Sequence, residues 1–353
     1  MVCIAAFIIL LIVGIFVAFI SIFQPKVGKR YLRTLKKSWS CFGKRITLQK
    51  CETGFGDDVK NSVLSKLIIR HPKWVKPVSA MIEIASILIV VITVWSLVEG
   101  AKAGLALYSL GTCNVKHAES CTLGSEVCSI DDNTEAKNPI EYIGLWLSDW
   151  GEIFGAIPDK FRDWNTDNFD VVAIEIKNDG KPGAIDFFDP GCIICKQSFQ
   201  AQLDSGFFEN YNVKLVILPI QDNDGNFKFA NSELIARYIY AVNKYEQKTS
   251  TDSVAFKIVK RIFTEKDKEN RAYLDAFNDF YSSDEARELL KAWLKEFGLD
   301  DRAVGEISEN ITSNEIDEIL KKNNDIVVND IHAKGIPTLI YNNKKHTGRY
   351  EAK

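Results

Sequence analysis

Ile185-Asp186-Phe187-Phe188-Asp189-Pro190-Gly191-Cys192-Ile193-Ile194-Cys195-Lys196 is the stretch on which the reading of this chain turns. Apolar residues up to Phe188 read as a buried strand, and Pro190-Gly191 breaks it. A helix is then expected over residues 191–203, opened by a Cys-x-x-Cys pair. Cys192 would sit at the helix N-terminus, where free N–H groups and the macrodipole favour a thiolate. Cys195 follows one turn later on the same face, within reach of a disulfide to Cys192. That order makes Cys192 the sulfur that attacks or is attacked, and Cys195 the one that resolves. A static disulfide and half of a zinc site are the alternatives for a Cys-x-x-Cys pair alone.

Outward from this stretch, residues 171–176 and 184–188 read as strands around the Asn178-Asp179-Gly180 turn, and residues 213–220 as a buried strand. Helical patterns cover 231–245, 252–264, 271–281, 283–297 and 313–323. Residues 338–341 and 346–350 close the chain as two strands about Asn342-Asn343. This ββ(α)β, helices, ββ order is an α/β layout with a helical insertion.

The central segment resembles the active site of the thioredoxin superfamily, in which an acid lies six residues before the first cysteine, as Asp186 does. Cys-x-x-Cys-Lys also matches, and Gly335-Ile336-Pro337-Thr338-Leu339 resembles the family's cis-proline loop. The resemblance implies that Asp186 is buried and exchanges protons with Cys195. It also implies that the Ile336–Pro337 bond is cis, and that Pro337 and the Ile336 backbone form the substrate groove beside Ile193 and Ile194. The long span between Cys195 and Pro337 resembles the DsbA-like thiol–disulfide oxidoreductases. The thioredoxin-like domain is thus expected over residues 168–353, with a helical insertion at about 229–325. Two departures stand out. Ile193-Ile194 replaces the family's better-known pairs, so no redox potential is carried over, and Gly191 stands where thioredoxin has tryptophan.

The N-terminal third has a different character. Residues 2–23 carry no charge, and residues 77–98 carry one, Glu83. Each is long enough to cross a bilayer as a helix. A signal peptide is the competing reading of the first run, but a basic n-region is missing and basic residues follow it. The intervening residues 24–77 hold 14 Lys/Arg against three acids, whereas residues 100–169 hold five against eleven. The positive-inside bias puts residues 24–76 in the cytoplasm and the rest outside, as a two-pass protein of the inner (cytoplasmic) membrane with a periplasmic catalytic domain. The expected segments are helices at 1–23 and 77–99 and a cysteine-containing linker and helix over 100–167. Juxtamembrane lysines on anionic lipid account for the basic loop, and the near-neutral chain, with pI near 5.9, gives no reason to bind nucleic acid.

Cys41 and Cys51 in the basic loop read as reduced thiols. Residues 100–140 read as irregular and carry Cys113, Cys121 and Cys128. Outside the membrane, a local disulfide between two of these is the expectation. The third would pair with another chain or exchange with the dithiol. Zinc with His117 is less favoured, because the spacings lack a tight knuckle. Residues 139–164 read as a helix broken near Pro158 and lined by Ile143, Trp146, Trp150 and Phe154. His332 and His346 raise a copper site of the Sco type, which uses a different cysteine spacing; Asn310-Ile311-Thr312 is a glycosylation sequon.

The resulting expectation is a membrane-anchored thiol–disulfide oxidoreductase that acts on protein thiols and disulfides without a cofactor or metal. Membrane lipid is a further partner, with a membrane redox partner or an envelope complex behind it. A thioredoxin-fold scaffold within such a complex is the alternative.

Overall fold

A computed structural model describes residues 9–10, 25–46, 64, 72–116, 118, 127–130, 136–222 and 225–351. The chain divides into two compact units, Met1–Ala101 and Lys102–Lys353.

In the first unit, the basic segment forms helix α1 (Pro25–Ile46). The first apolar run lies outside the described residues except for Ile9 and Leu10, which are helical. The second run begins helix α2 (Val75–Leu110), long and apolar enough to cross a membrane, with a mean hydropathy of 2.4 in its most apolar stretch. Met81, Ile84, Leu88, Val91, Ile92 and Leu97 are exposed on it. Among the described residues it is the only such helix.

Helix α2 runs past the expected end of the apolar segment to Leu110, so residues 100–110 are not irregular. The physical reason lies in their packing: Ala106 and Leu110 join Val115, Ile153 and Ala156 in a small apolar cluster. Lys102 Nζ lies 2.6 Å from Asp149 Oδ2 beside it. Asp149 and Ile153 belong to α3 (Pro139–Gly155), whose cap Asn138 accepts a hydrogen bond from the Glu141 amide, with Pro139 at the first helical position. The helix stops there, three residues before the expected break near Pro158, where a short helical turn (Pro158–Lys160) follows, and Trp150 stacks on Phe154 at 5.5 Å.

The sheet of the second unit has the order β2-β4-β3-β6-β7, from β2 (Ile174–Ile176), β3 (Gly183–Phe188), β4 (Asn212–Ile217), β6 (Thr338–Tyr341) and β7 (Lys344–Thr347). Strands β3 and β4 are parallel and the other pairs antiparallel. The β3–β4 crossover carries α4 (Ile193–Asp204) and the short α5 (Phe207–Asn210). Flanked on both sides, β3 is buried from Ala184 to its end, matching its unbroken apolar sequence apart from Asp186. The β6–β7 hairpin turns at Asn342 and Asn343, both at positive φ (51° and 58°), the conformation a two-residue I′ turn needs.

Between β4 and β6 the insertion comprises α6 (Ser232–Glu246), α7 (Val254–Thr264), α8 (Tyr273–Asp275) continued by a wider turn at Ala276–Phe280, α9 (Ser283–Glu296), α10 (Asp301–Asn310) and α11 (Asn314–Asp325). Ser253, Ser282 and Asp300 cap α7, α9 and α10, and Ser282 with Glu285 completes a capping box. Helix α10 lies outside the helical patterns expected from the sequence; it is short and polar and carries Gly305. Its Ala303, Val304 and Ile307 are nonetheless buried against the core. Helix α7 docks on α4 through rings: Phe199 lies 5.7 Å from Phe256 and 5.3 Å from Phe263. Aromatic pairs at such distances each contribute roughly 0.5–1.5 kcal/mol beyond their area burial.

Candidate redox site

Strand β3 ends at Phe188, and Asp189-Pro190-Gly191 turns the chain so that Cys192 becomes the N-cap of α4, in extended conformation. Its amide donates to the Asp189 carbonyl at 3.1 Å, and its own carbonyl accepts from the Lys196 amide at 3.1 Å. Cys195 lies one turn into the helix. Both cysteines are buried, whereas Ile193 is 44% exposed and Ile194 is half-buried.

Asp186 sits in the middle of the sheet, with β4 Leu215 on one side and β6 Leu339 on the other. Its Oδ2 accepts a 2.7 Å hydrogen bond from Gln202 Nε2 of α4. Burial raises its pKa to about 7, against the opposing pull of that bond. Asp189 is a second buried acid. Its Oδ1 accepts from the Gly191 amide and its Oδ2 from the Ile220 amide, each at 2.7 Å. Burial again outweighs these bonds and lifts its pKa to about 7. Burial likewise pushes the Cys195 thiol well above its ordinary value, and the charges of Asp186 and Asp189 push the same way. Two carboxyls that titrate near neutrality thus lie close enough to Cys195 to act on its charge.

The Ile336–Pro337 peptide bond is cis. Thr338 Oγ1 donates to the Gly335 carbonyl at 2.7 Å, and the Gly348 amide to the Pro337 carbonyl at 2.8 Å, which fixes the loop from both sides. Strand β5 (Gly335–Ile336) precedes the proline and does not join the main sheet. It pairs antiparallel with β1 (Cys128–Ser129), Cys128 opposite Ile336 and Ser129 opposite Gly335.

Cys128 is disulfide-bonded to Cys192, their Cα atoms 6.5 Å apart. Cys195 is a free thiol. The disulfide therefore joins the first cysteine of the Cys-x-x-Cys pair to the upstream segment rather than Cys192 to Cys195, and Cys128 is not paired with Cys113 or Cys121. The physical reason is the β1–β5 ladder, which lays Cys128 against the proline loop facing Cys192. Cys113 is also disulfide-bonded, whereas Cys51 and Cys121 lie outside the described residues.

Asp189 acquires its importance only from burial and two backbone donors; its one sequence signal is its place at the strand end before Pro-Gly. Gly191 is small because the insertion packs on it. A Cβ there would lie 2.4 Å from the Phe229 Cβ and 2.9 Å from Asn278 Oδ1, while Asn278 Nδ2 donates to its carbonyl. The two histidines that raised a copper site are otherwise engaged: His332 Nδ1 lies 3.3 Å from Asp159 Oδ2, and His346 stacks on Tyr341. Among the described residues no group of three or more His, Cys, Asp or Glu is placed to hold a metal.

A mixed sheet whose central strand runs into a Cys-x-x-Cys helix, with a cis-proline loop beside it, defines a thioredoxin-like fold, here with a block of helices inserted between β4 and β6. Similar solved structures include the thiol-disulfide exchange protein alpha-DsbA2 from Wolbachia pipientis, 18% identical over 57% of this chain and 88% of that one, with a TM-score of 0.35. DsbA from Chlamydia trachomatis is 15% identical over 50% of this chain and 84% of its own, TM-score 0.36. MdbA, a thiol-disulfide oxidoreductase from Corynebacterium diphtheriae, is 12% identical over 48% and 78%, TM-score 0.35. No protein-family model and no curated protein matches the chain.

Proposed function

We propose that this protein is a membrane-anchored thiol–disulfide oxidoreductase acting on protein substrates. The observation that carries this reading is a free, buried Cys195 one turn after a disulfide-bonded Cys192, with two acids of raised pKa beside it. Cys192 exchanges its sulfur partner and Cys195 attacks Cys192 to release it. Asp186, assisted by Asp189, takes the Cys195 proton in one direction and returns it in the other. Pro337 and the Ile336 backbone form the edge on which an extended substrate lies, with Ile193 and Ile194 beside it. No cofactor enters these steps.

The apolar helix α2 supports an anchor, and the basic segment before it supports a cytoplasmic loop, with the dithiol unit on the extracytoplasmic side. The first apolar run would be the other pass. A scaffold without turnover is favoured only by the burial of Cys192 beneath its disulfide. Reduction of insulin by the pre-reduced protein decides between them. Activity lost in Cys192→Ala supports the oxidoreductase; inertness of reduced Cys192 to alkylation at neutral pH would establish the scaffold.

A further inference from the structure

We propose that Cys128 is a third redox-active cysteine, and that residues 127–130 are an internal substrate strand seated in the exchange groove. This rests on the oxidoreductase reading above and names what its groove accepts.

The segment is bound as a substrate would be bound. Its backbone forms the antiparallel ladder with Gly335 and Ile336, and the Ile130 amide donates to the Lys334 carbonyl at 3.2 Å. Val127, Cys128, Ser129 and Ile130 are all buried. A Cβ on Gly335 would come within 2.7 Å of Val127 Cγ2 and 2.9 Å of the Cys128 carbonyl, so the loop carries a glycine where this strand crosses it. In sequence the four residues are an apolar cassette, Val-Cys-Ser-Ile, between Glu126 and Asp131-Asp132. Backbone pairing supplies affinity without regard to side chain, while alternate pockets set the preference. The groove is therefore suited to an extended cysteine segment with an apolar residue just before the cysteine and another two residues after it. Ile130 lines a cavity of about 460 Å³ together with Leu218, Ile220 and Phe227 and with the charged Asp222, Glu233, Arg237 and Asp317, so a mixed apolar and charged space continues beyond the cassette.

The bond is also at the stage that precedes resolution. Cys195 loses its proton to a neighbouring carboxylate, and its thiolate attacks Cys192 Sγ. A Cys192–Cys195 disulfide forms as the Cys128–Cys192 disulfide breaks, and Cys128 leaves as a thiolate that takes a proton from water. One disulfide and one thiol stand on each side, so no external oxidant or reductant is consumed. The exchange opens the groove, and the reverse exchange closes it.

Two measurements test this on the full chain in detergent. The wild type is equilibrated in glutathione buffers, acid-quenched, alkylated and mapped for linked peptides. Both one-disulfide forms are expected, in a ratio that does not change with the glutathione poise, because interconversion conserves disulfides. Persistence of the Cys128–Cys192 link with no Cys192–Cys195 form would overturn the proposal. The second measurement follows exchange with the peptide Ser-Glu-Val-Cys-Ser-Ile-Asp-Asp, presented as its glutathione mixed disulfide, after reduction of the protein. The double variant Val127→Ser/Ile130→Ser, which weakens the seating of the internal strand, is expected to react several-fold faster than wild type, and faster than with a peptide whose Val and Ile are serine. Equal rates for wild type and variant would refute an occupied groove while leaving the oxidoreductase intact. Inertness of both proteins would refute the oxidoreductase itself. Should this variant fail to fold, the wild-type mapping alone decides.

Discussion

Gln202 on α4 and Asp186 on β3 are joined by a 2.7 Å hydrogen bond beneath the dithiol, and the other Asp186 oxygen is buried without a hydrogen-bond partner among the described residues. One carboxyl oxygen is thus held and the other left open. An acid in that position gains from being protonated and is available to hand the proton on.

Asp186→Asn should therefore slow thiol–disulfide exchange around neutral pH and leave the fold intact. The folded pKa of about 7 lies above the ordinary 3.8. Between these values the native state binds more protons than the unfolded one, so stability falls as pH rises from about 4 to about 7. In Asp186→Asn this contribution disappears, and the decline in melting temperature over that window should be shallower than in wild type. An unchanged slope, measured by circular dichroism from pH 4 to 8, would show that the carboxyl is not desolvated.

Asp189→Asn should act in the same pH window, since its pKa is also raised to about 7. It should in addition cost stability at low pH. An amide at this position keeps one oxygen to accept from a backbone amide, but it points an NH2 at the other of the Gly191 and Ile220 donors. Leaving one buried donor unsatisfied costs roughly 1–3 kcal/mol. Denaturant melts at pH 4, where both wild-type acids are protonated, isolate that cost from the ionisation effect.

Gly191→Ala tests how tightly the insertion closes on the dithiol. The added methyl would meet the Phe229 Cβ, which cannot swing away without the backbone. Overpacking of this kind costs roughly 1–3 kcal/mol. The midpoint of urea unfolding should fall accordingly. A variant as stable as wild type would mean that the 229 segment yields freely.

The double variant Cys128→Ala/Cys195→Ala retains Cys192 as the nucleophile but removes both partners that can release it. Mixed disulfides with cellular proteins should accumulate, visible as ladders on non-reducing gels and abolished by reductant. Folded protein without adducts would contradict the assignment of Cys192.

Membrane orientation can be read from Cys41 and Cys51. On the proposed topology neither is labelled by a membrane-impermeant thiol reagent in intact cells, and both are labelled after permeabilisation. Labelling in intact cells would reverse the orientation.

Much of this protein is written locally. A continuous apolar strand, a Pro-Gly break and a cysteine pair at helical spacing suffice for the β3–α4 unit, because strand burial and helix capping depend on near neighbours. The same holds for the Asn342-Asn343 turn, where both residues tolerate positive φ. Three features were decided only by the tertiary structure. Asp189 is a buried acid because the amides of Gly191 and Ile220 converge on it, the latter from the segment just after β4. Gly191 is small because Phe229 and Asn278, distant in sequence, close over it. Cys128 finds Cys192 across a sequence separation of 64 because β5 has a free edge beside the proline loop and residues 127–130 fill it. Spacing along a chain specifies which groups are neighbours within a turn of helix or a hairpin. Which open strand edge a remote segment occupies depends on how all the elements pack.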